Sequence, residues 1–486
     1  MRYLGRVVTA LEPPDLTALE LAAAIRHRQI GCLEALDACL HRVDERDRDL
    51  GAIVWRDDEG ARAAARRADD RVARTPAEEL PPFMGVPIPI KDLTLVEGWP
   101  VTFGSRGASP EPSDQDELVV AALRRAGFTL ACRTNTPEFG LISAAENLRY
   151  PPSRNPWDLS RTPGGSSGGA AAAVAGGLFP LAHGNDGGGS LRIPASCCGL
   201  VGLKVSRGRI PALVTYWDGA AVEGVLTRTV ADTAAVLDQI CGPDPLCWYN
   251  APRPDRPFRQ EVGKSPGPLR LGVLTEAPLG LPLSDPCRAA VEEVAGQLRR
   301  LGHEVVPAPL ELPPEVVSSF MRYTGAGLAD FPEIDWERTE PHVRAAREAA
   351  QNVDSLAYTD ATHILQRFSR QLMARWGAEF DLLVTPTLTI EPPKVGEVLA
   401  AAHEAGPGPA LPVLQMAVLT SIFNVSGQPA ISLPLAATAA GLPIGVQVVG
   451  HPFDEAGLLR LAAQLESAMP WSGRKPDREA GLPQGR

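Results

Sequence analysis

The chain of 486 residues is 44% hydrophobic, which suffices for a sizeable core, and it carries a formal net charge of −11. Its acidic and basic residues are interspersed rather than grouped, which argues against a nucleic-acid-binding surface, because such a surface needs clustered Lys and Arg. No run of about 18 apolar residues is present to span a bilayer, and residues 1–14 lack the apolar segment of a secretion signal.

The eight cysteines show no CxxC pair and no other spacing typical of metal ligands, and the eight histidines are scattered along the chain. In a chain of this length, such cysteines are typical of reduced, mostly buried thiols. The composition therefore predicts a cytoplasmic protein that has no nucleic-acid or membrane partner.

The first ninety residues predict three helices followed by a strand. Residues 17–20, TALE, form a capping box that begins a helix, and apolar residues recur at helical spacing over 33–43. Residues 57–74 predict a third, solvated helix. Apolar residues alternate with proline over 86–90 and lead into Lys91, which predicts a buried strand that is irregular or lies at a sheet edge.

Beyond this strand, helix and strand patterns alternate. The predicted helices cover 117–126, 169–177, 229–240, 285–301, most of 312–376, and 455–469. The predicted strands cover 128–132, 269–274, a segment near 305, 381–384, 430–434, and 444–449. The order strand, helix, strand between 269 and 305 is typical of a βαβ unit.

Two glycine-rich loops within residues 163–194 each present a serine. Residues 164–169 read GGSSGG, and residues 186–190 read DGGGS. Consecutive glycines cost backbone entropy, so they indicate positions with a demanding backbone geometry. Successive amide groups in such a loop form a concavity that binds negative charge. A serine at its edge is well placed for acyl transfer, because an oxyanion forms where the amides point.

This stretch resembles the signature of the amidase signature family, GGSSGG followed by GxDxGGS[LI]RxP, and every fixed position is matched between Gly164 and Pro194. The family lysine follows an apolar strand, as Lys91 does here. The spacings also agree, with 75 residues from Lys91 to Ser166 and 24 from Ser166 to Ser190. Further resemblance extends over nearly the whole chain, including segments 134–139, 199–204 and 423–430.

The resemblance implies the family's α/β fold, in which helices cover both faces of a large central mixed β-sheet. It also implies one domain over residues 1–470, with a signature core at about 80–210. Residues 471–486 are rich in proline, glycine and charge, and we expect them to form a frayed tail.

The resemblance implies a catalytic role for three residues. Ser190 is the expected nucleophile, Lys91 the base, and Ser166 the relay between them, with a cis peptide bond before Ser166. Ser167 is the competing relay, although the 24-residue spacing favours Ser166 and leaves Ser167 a supporting role. A buried lysine loses its proton more readily than an exposed one, and Asp92 would oppose that shift if its carboxylate lay close.

The loop around Ser190 is expected to supply the remaining parts of the catalytic machinery. The backbone amides of Gly187, Gly188 and Gly189 are the expected oxyanion hole, together with the amide of Ser190. Gly187 stands where the family often has another residue, which predicts a more flexible loop. Asp186 and Arg192 flank Ser190, and we expect them to brace the loop as a charge pair.

The resemblance also implies the position of the substrate pocket. The expected lining residues are Gly140, Leu141, Arg209, Tyr216 and Trp217. Residues 387–411, rich in Pro, Gly and Ala, predict a loop that borders the site and admits bulky apolar groups with little selection by charge. No pair of charged residues that could anchor a dicarboxylate or a free amino acid is expected there.

The function implied is hydrolysis of a carboxamide C–N bond through an acyl-enzyme, without a metal or cofactor. A carbamate offers the same carbonyl and the same leaving amine, so carbamates are a second expected substrate class. The expected partner is a small-molecule amide or carbamate, and the expected state is a monomer or homodimer. Two alternatives remain open: the amidase subunit of a tRNA-dependent amidotransferase, and an inactive binding protein on the same scaffold.

Overall fold

Within residues 12–331, 333–406 and 408–476, which the computed structural model describes, eleven strands form two sheets surrounded by fourteen α-helices. The strands are β1 Ile53–Arg56, β2 Pro87–Lys91, β3 Thr129–Thr134, β4 Ala182–Asp186, β5 Val201–Lys204, β6 Val222–Thr227, β7 Arg270–Val273, β8 Glu304–Pro307, β9 Leu382–Pro386, β10 Ala430–Ala437 and β11 Pro443–Val449. The helices are α1 Ala18–Arg26, α2 Cys32–Leu50, α3 Asp58–Arg74, α4 Leu118–Arg125, α5 Gly168–Ala175, α6 Arg192–Cys198, α7 Val230–Ile240, α8 Asp285–Arg300, α9 Pro314–Ala326, α10 Pro341–Gln351, α11 Ser355–Met373, α12 Glu397–Ala405, α13 Leu411–Ser426 and α14 Glu455–Ala468.

The larger sheet is mixed, as the sequence predicted, and has the strand order β4-β6-β5-β10-β11-β9-β7-β8. Strand β7 pairs in parallel with β8 and β9, and the remaining neighbours are antiparallel. Helix α8 connects β7 to β8, so the predicted βαβ unit is confirmed.

Both faces of this sheet are buried. On β9, Leu382 and Val384 belong to one hydrophobic core, whereas Leu383 between them belongs to another. Successive side chains of a strand point to opposite faces, so these two cores lie on opposite sides of the sheet. The prediction of a central mixed sheet covered on both faces is therefore confirmed.

The smaller sheet has the order β1-β3-β2, and it carries Lys91 at the end of β2. All five residues of β2 are buried, and its pairing with β3 shifts register between Ile88 and Ile90. A proline donates no backbone hydrogen bond, which restricts such a strand to an edge or to an irregular position. The Lys91 amide lies 3.5 Å from Nδ1 of His183, and this contact joins β2 to β4 of the larger sheet.

Several features differ from the sequence predictions, and strands β1, β4, β5 and β6 and helix α13 were not predicted. Residues 387–411 are not a continuous loop, because α12 forms within them; the Ala-rich run 400–402 favours helix despite its flanking glycines. Helix α6 was not predicted, because it contains Pro194, which is tolerated in a first helical turn. The predicted tail is not frayed at its start: Trp471 is buried and donates to the Arg228 carbonyl at 2.9 Å. The rest of that prediction, over 477–486, lies outside the described residues.

Candidate active site

The side chains of Lys91, Ser166 and Ser190 form a continuous chain of contacts. Nζ of Lys91 lies 2.6 Å from Oγ of Ser166, which in turn lies 2.8 Å from Oγ of Ser190. Lys91 comes from the end of β2, and the two serines come from the two glycine-rich loops. The peptide bond between Gly165 and Ser166 is cis. The structure thus brings together the three residues that the sequence selected.

The Lys91 side chain is fully buried, and burial lowers its pKa to about 7, because the charged form loses its hydration. The carboxylates of Glu223 and Asp186 partly oppose this decrease. Asp92 does not act on Lys91 in this way. Its carboxylate accepts hydrogen bonds from the backbone and side chain of Thr102 instead, so the neighbour in sequence is not the electrostatic neighbour in space.

Two further groups hold the lysine, and sequence reasoning found only one of them. Lys91 Nζ lies 2.9 Å from Oγ of Ser167 and 2.6 Å from Oδ1 of Asn185. Oγ of Ser167 also donates to the Asn185 carbonyl at 3.0 Å. Asn185 was missed because β4 was not predicted. The sequence signal that could have found it is the alternation of side chains along a strand, since His183 and Asn185 lie two residues apart and therefore on the same face of β4.

His183 is buried beneath the site rather than within it. Its Nε2 lies 2.9 Å from Glu223, and its Nδ1 faces the Lys91 amide. With Nδ1 accepting from that amide, Nε2 carries the proton and donates to the carboxylate. The ring therefore fixes the position of Glu223 beside the lysine.

The carboxylate of Asp186 organises the loop around Ser190. It accepts hydrogen bonds from the backbone amides of Gly189, Leu191 and Arg192, at 2.8 to 3.4 Å. Burial alone would raise the pKa of Asp186, but the adjacent Arg192 guanidinium holds it below its ordinary value. Asp186 therefore stays ionised and keeps the loop folded around its oxygens.

The prediction that the Gly189 amide belongs to the oxyanion hole is contradicted by this arrangement. The Gly189 amide is occupied by Asp186 and cannot also serve an oxyanion. The amides of Gly187, Gly188 and Ser190 have no hydrogen-bond acceptor among the described residues. These three amides are the free donors beside the Ser190 hydroxyl.

Arg192 forms the predicted pair with Asp186 and satisfies all five of its guanidinium N–H groups. Nε and one Nη2 hydrogen bind Asp186 at 2.9 and 2.8 Å. The other three hydrogens reach the Thr420 carbonyl, Oε1 of Gln447 and Oδ1 of Asn424. The pair is fully buried and ties the catalytic loop to α13 and β11.

A cavity with two lobes opens at Ser190. The large lobe is lined mainly by apolar side chains of α9 and α13 and by the segment after Phe139. Its lining includes Gly140, Leu141, Ile142, Gly188, Ser190, Trp217, Leu312, Val316, Phe320, Met321, Val413, Leu414, Val418 and Ile422. Gly406 and residues 408–410 also border it, as predicted for residues 387–411.

The small lobe has a different chemical character. Its lining includes Leu93, Leu95, Glu117, Phe139, Gly140, Ser166, Asn185, Gly187, Ser190, Tyr216, Trp217, Glu223 and Phe331. Two carboxylates, Glu117 and Glu223, face this lobe, and no Lys or Arg lines it within the described chain. Burial, together with these two carboxylates, raises the pKa of Tyr216 to about 12. The sequence predicted no pair of charged residues that could anchor a dicarboxylate or a free amino acid; two acidic side chains cannot anchor a dicarboxylate, but the charge that they give the small lobe was not predicted.

Four of the five predicted pocket residues line the cavity: Gly140, Leu141, Tyr216 and Trp217. Trp217 lines both lobes, as do Gly140 and Ser190. Arg209 does not line either lobe. It is buried elsewhere, where it pairs with Glu455 at 2.9 Å, because a buried guanidinium needs a carboxylate partner.

No helix in the described part of the chain is long and apolar enough to cross a membrane. The eight cysteines are all free, and six of them are buried.

Comparison with known proteins identifies the family of this chain. The Amidase family model matches residues 34–459. A 6-aminohexanoate-cyclic-dimer hydrolase of Paenarthrobacter ureafaciens is 38% identical over 94% of this chain and 95% of its own. A glutamyl-tRNA(Gln) amidotransferase subunit of Myxococcus xanthus is 35% identical over 93% of this chain and 97% of its own.

A solved structure of a 6-aminohexanoate cyclic dimer hydrolase superposes with a TM-score of 0.89 at 36% identity, covering 96% of this chain and 99% of that one. The match of fold and sequence over nearly the full length, around a lysine and two serines in glycine-rich loops, leads to one assignment. The chain belongs to the amidase signature family and is a hydrolase that acts on the C–N bonds of small-molecule amides.

Proposed function

We propose that this protein hydrolyses amides through an acyl-enzyme on Ser190, with Lys91 as the base and Ser166 as the proton relay. The observation that carries the proposal is the unbroken line from Lys91 Nζ through Ser166 Oγ to Ser190 Oγ. The free amides of Gly187, Gly188 and Ser190 lie beside the end of this line. The proposed nucleophile, base and oxyanion donors therefore lie next to one another at a single site.

The contacts of Lys91 determine the direction in which protons move. A neutral amine has two hydrogens and one lone pair. Oδ1 of Asn185 can only accept a hydrogen bond, and Ser167 already donates its own hydrogen to a carbonyl. Lys91 therefore gives its two hydrogens to Asn185 and Ser167, and its lone pair faces the hydroxyl of Ser166.

The reaction follows from this geometry. Ser166 passes its proton to Lys91 and receives that of Ser190, whose Oγ forms a bond to the substrate carbonyl carbon. The oxyanion is held by the free loop amides. As the C–N bond breaks, the relay runs backwards and protonates the leaving amine. Water then attacks the acyl-enzyme by the same relay, which releases the acid and restores Ser190.

The two lobes take different parts of the substrate. Ser166, which must protonate the leaving nitrogen, lines the small lobe and not the large one. The leaving amine therefore occupies the small lobe and the acyl group the large apolar lobe. This assignment favours uncharged, apolar acyl groups, because a carboxylate in an apolar lobe would lose its hydration without a partner.

The proposed substrates are small aliphatic and aryl amides with an apolar acyl part. The name of the Paenarthrobacter relative, a hydrolase of a cyclic amide dimer, supports an apolar amide substrate for this chain as well. Aryl carbamates belong to the proposal because they present the same carbonyl to Ser190. Their cleavage would release the amine, and the alcohol after loss of CO₂.

The resemblance to the amidotransferase supports a second candidate, in which the same residues release ammonia for a tRNA-bound substrate. The two candidates differ in what the isolated chain can do. Turnover of an anilide by the isolated chain, with water as the final acceptor and no tRNA present, would favour the hydrolase.

Substitution of Ser190 tests the proposed nucleophile. Ser190→Ala should lower kcat by several orders of magnitude and abolish labelling by a fluorophosphonate. Ser421→Ala is the matched control, since Ser421 lines the same cavity without contacting Lys91 or Ser166. A folded Ser190→Ala enzyme that keeps more than a few per cent of the activity would contradict the assignment.

A further inference from the structure

Three side chains of types that can ligate a metal ion meet at the wall of the large lobe. They are Glu340, which precedes the first residue of α10, His342 in the first turn of that helix, and His403 near the end of α12. Their nearest ligand atoms all lie within 4.8 Å of one another. The amidase mechanism proposed above uses none of the three.

His342 is the side chain in this cluster that most needs a partner. It is 7% exposed, and neither of its ring nitrogens has a hydrogen-bond partner among the described residues. An unsatisfied buried polar group is costly, and native proteins retain few of them. The nearest polar atom of the cluster, Oε2 of Glu340, lies 3.6 Å from Nδ1 of His342, which is too long for a hydrogen bond.

The distances in the cluster suit a shared ion. Oε2 of Glu340 lies 3.0 Å from Nε2 of His403 and 3.6 Å from Nδ1 of His342. Ligands bound to zinc at about 2.0–2.1 Å in a tetrahedron are separated by about 3.3 Å, midway between these two values. The ligand nitrogens of the two histidines lie within 4.8 Å of each other, so they would have to approach by up to about 1.5 Å to place all three atoms around one ion.

Glu340 is held in the orientation that a ligand requires. Its other oxygen, Oε1, accepts a hydrogen bond from the Leu148 amide at 2.9 Å, which leaves Oε2 directed at the two histidines. Hydrogen bonds of this kind orient the ligands of protein metal sites and tune their affinity. The His403 side chain is 24% exposed, which gives an ion a path from solvent.

We infer that Glu340, His342 and His403 form a binding site for a divalent transition metal ion, with Zn²⁺ the best match to two imidazoles and one carboxylate. Imidazole and carboxylate together suit zinc and its neighbours better than calcium or magnesium, which prefer oxygen ligands alone. The ion would join α10 to α12 at the wall of the large lobe. Because His342 lines that lobe, the site would form part of its wall.

Cobalt titration of the untagged protein tests the site directly. After treatment with a chelator, the wild-type protein should bind one equivalent of Co²⁺, with visible absorption of an N/O-coordinated ion, and Zn²⁺ should displace it. His403→Ala and Glu340→Gln should each weaken binding by at least about tenfold. Zn²⁺ should raise the Tm of the wild-type protein and not that of His403→Ala.

A second pair of residues provides the matched control. His41 and Glu45 form an exposed histidine–glutamate pair at 3.1 Å, and His41→Ala should leave cobalt binding unchanged. Strong near-ultraviolet charge-transfer bands would instead indicate binding by the free cysteines. Such bands, the absence of stoichiometric binding, or unchanged binding in a folded His403→Ala variant would each overturn the inference. His403 is partly exposed, so its replacement provides a test even where Glu340→Gln does not fold.

Discussion

At the scale of single residues, the chemistry of this site depends on the surroundings of one amine. The sequence places Lys91 at the end of an apolar strand, and the structure buries it completely. Its neighbours then divide into two groups. Ser166, Ser167 and Asn185 contact the nitrogen and orient its lone pair, whereas Glu223 acts through its charge.

The pH profile of kcat/KM should report this lysine. With neutral Lys91 as the proposed base and its pKa at about 7, kcat/KM for a neutral amide should rise with pH through this value and then level off. The Glu223 carboxylate raises the pKa of Lys91, so Glu223→Gln should move the rising limb to lower pH. Kinetics between pH 5 and 9 on an anilide would measure the change.

Glu117→Gln is the control for this experiment, because Glu117 lines the same lobe but does not act on the lysine. The rising limb should stay in place in that variant. A limb that moves equally in both variants, or that persists in Lys91→Ala, would assign the titration to another group. Lys91→Arg should be nearly inactive, since a guanidinium stays protonated.

At the scale of elements, the catalytic loop between β4 and α6 is held by a buried ion pair. Removing one partner of such a pair leaves an uncompensated charge and typically costs about 3–5 kcal/mol. We therefore expect Asp186→Asn to lower the free energy of unfolding by about that amount. The substitution leaves the buried guanidinium of Arg192 without its charged partner. Urea unfolding would measure the loss.

Asp158→Asn provides the comparison, because its pair with Arg161 at 3.2 Å is partly exposed to solvent. A pair of this kind contributes about 0–1 kcal/mol. Equal losses in the two variants would mean that the buried pair does not hold the loop.

The same loop depends on the space around Gly187. The sequence suggested that this glycine makes the loop flexible, but a side chain at position 187 would overlap the ring of Trp217. We expect Gly187→Ala to lower kcat/KM by at least about tenfold, because the displaced ring would block the lobes. Adding Trp217→Ala should recover part of this loss, as residues in contact are not additive.

A glycine two residues further on serves as the control. Gly189 has φ +128°, and a side chain there would overlap Thr420 rather than Trp217. Gly189→Ala should therefore stay impaired when Trp217→Ala is added. The wild type, the three single variants and the two double variants would be compared by their kcat/KM on one anilide. If the effects of Gly187→Ala and Trp217→Ala were fully additive, contact with Trp217 would not explain the loss in Gly187→Ala.

At the scale of the whole molecule, the two lobes meet at Ser190. Their different lining predicts that the enzyme selects substrates by the charge of the leaving amine. The carboxylates of Glu117 and Glu223 should repel a leaving amine that carries a carboxylate. We expect kcat/KM for such an amide to be at least about tenfold lower than for its uncharged isostere. The same charge placed on the acyl part should also be disfavoured, through the loss of hydration in the large lobe.

A panel of paired charged and uncharged amides, assayed for both products, would measure this selectivity. Glu117→Gln should reduce the difference in kcat/KM between amides with a charged and an uncharged leaving amine. It should leave the corresponding difference for the acyl part unchanged. A preference for amines that carry a carboxylate would contradict the placement of the leaving amine in the small lobe.

The sequence by itself determined the local features of this protein. The capping box at Thr17 forms as predicted, and the helices with clear apolar periodicity form at the expected places, because their signals lie within one or two turns of chain. The glycine-rich loops were also found from the local sequence, whereas Lys91 was selected through the family resemblance. The single domain over residues 1–470 stays a prediction.

The tertiary structure alone decided how distant segments meet. Arg192 binds groups as far along the chain as Gln447, whereas Arg209, predicted for the pocket, pairs with Glu455. Glu340 and His403 lie 63 residues apart and form no motif that a reader of the sequence could recognise. Such contacts depend on the packing of whole elements, and the pKa of Lys91 depends on the burial that this packing creates, so no local pattern encodes either.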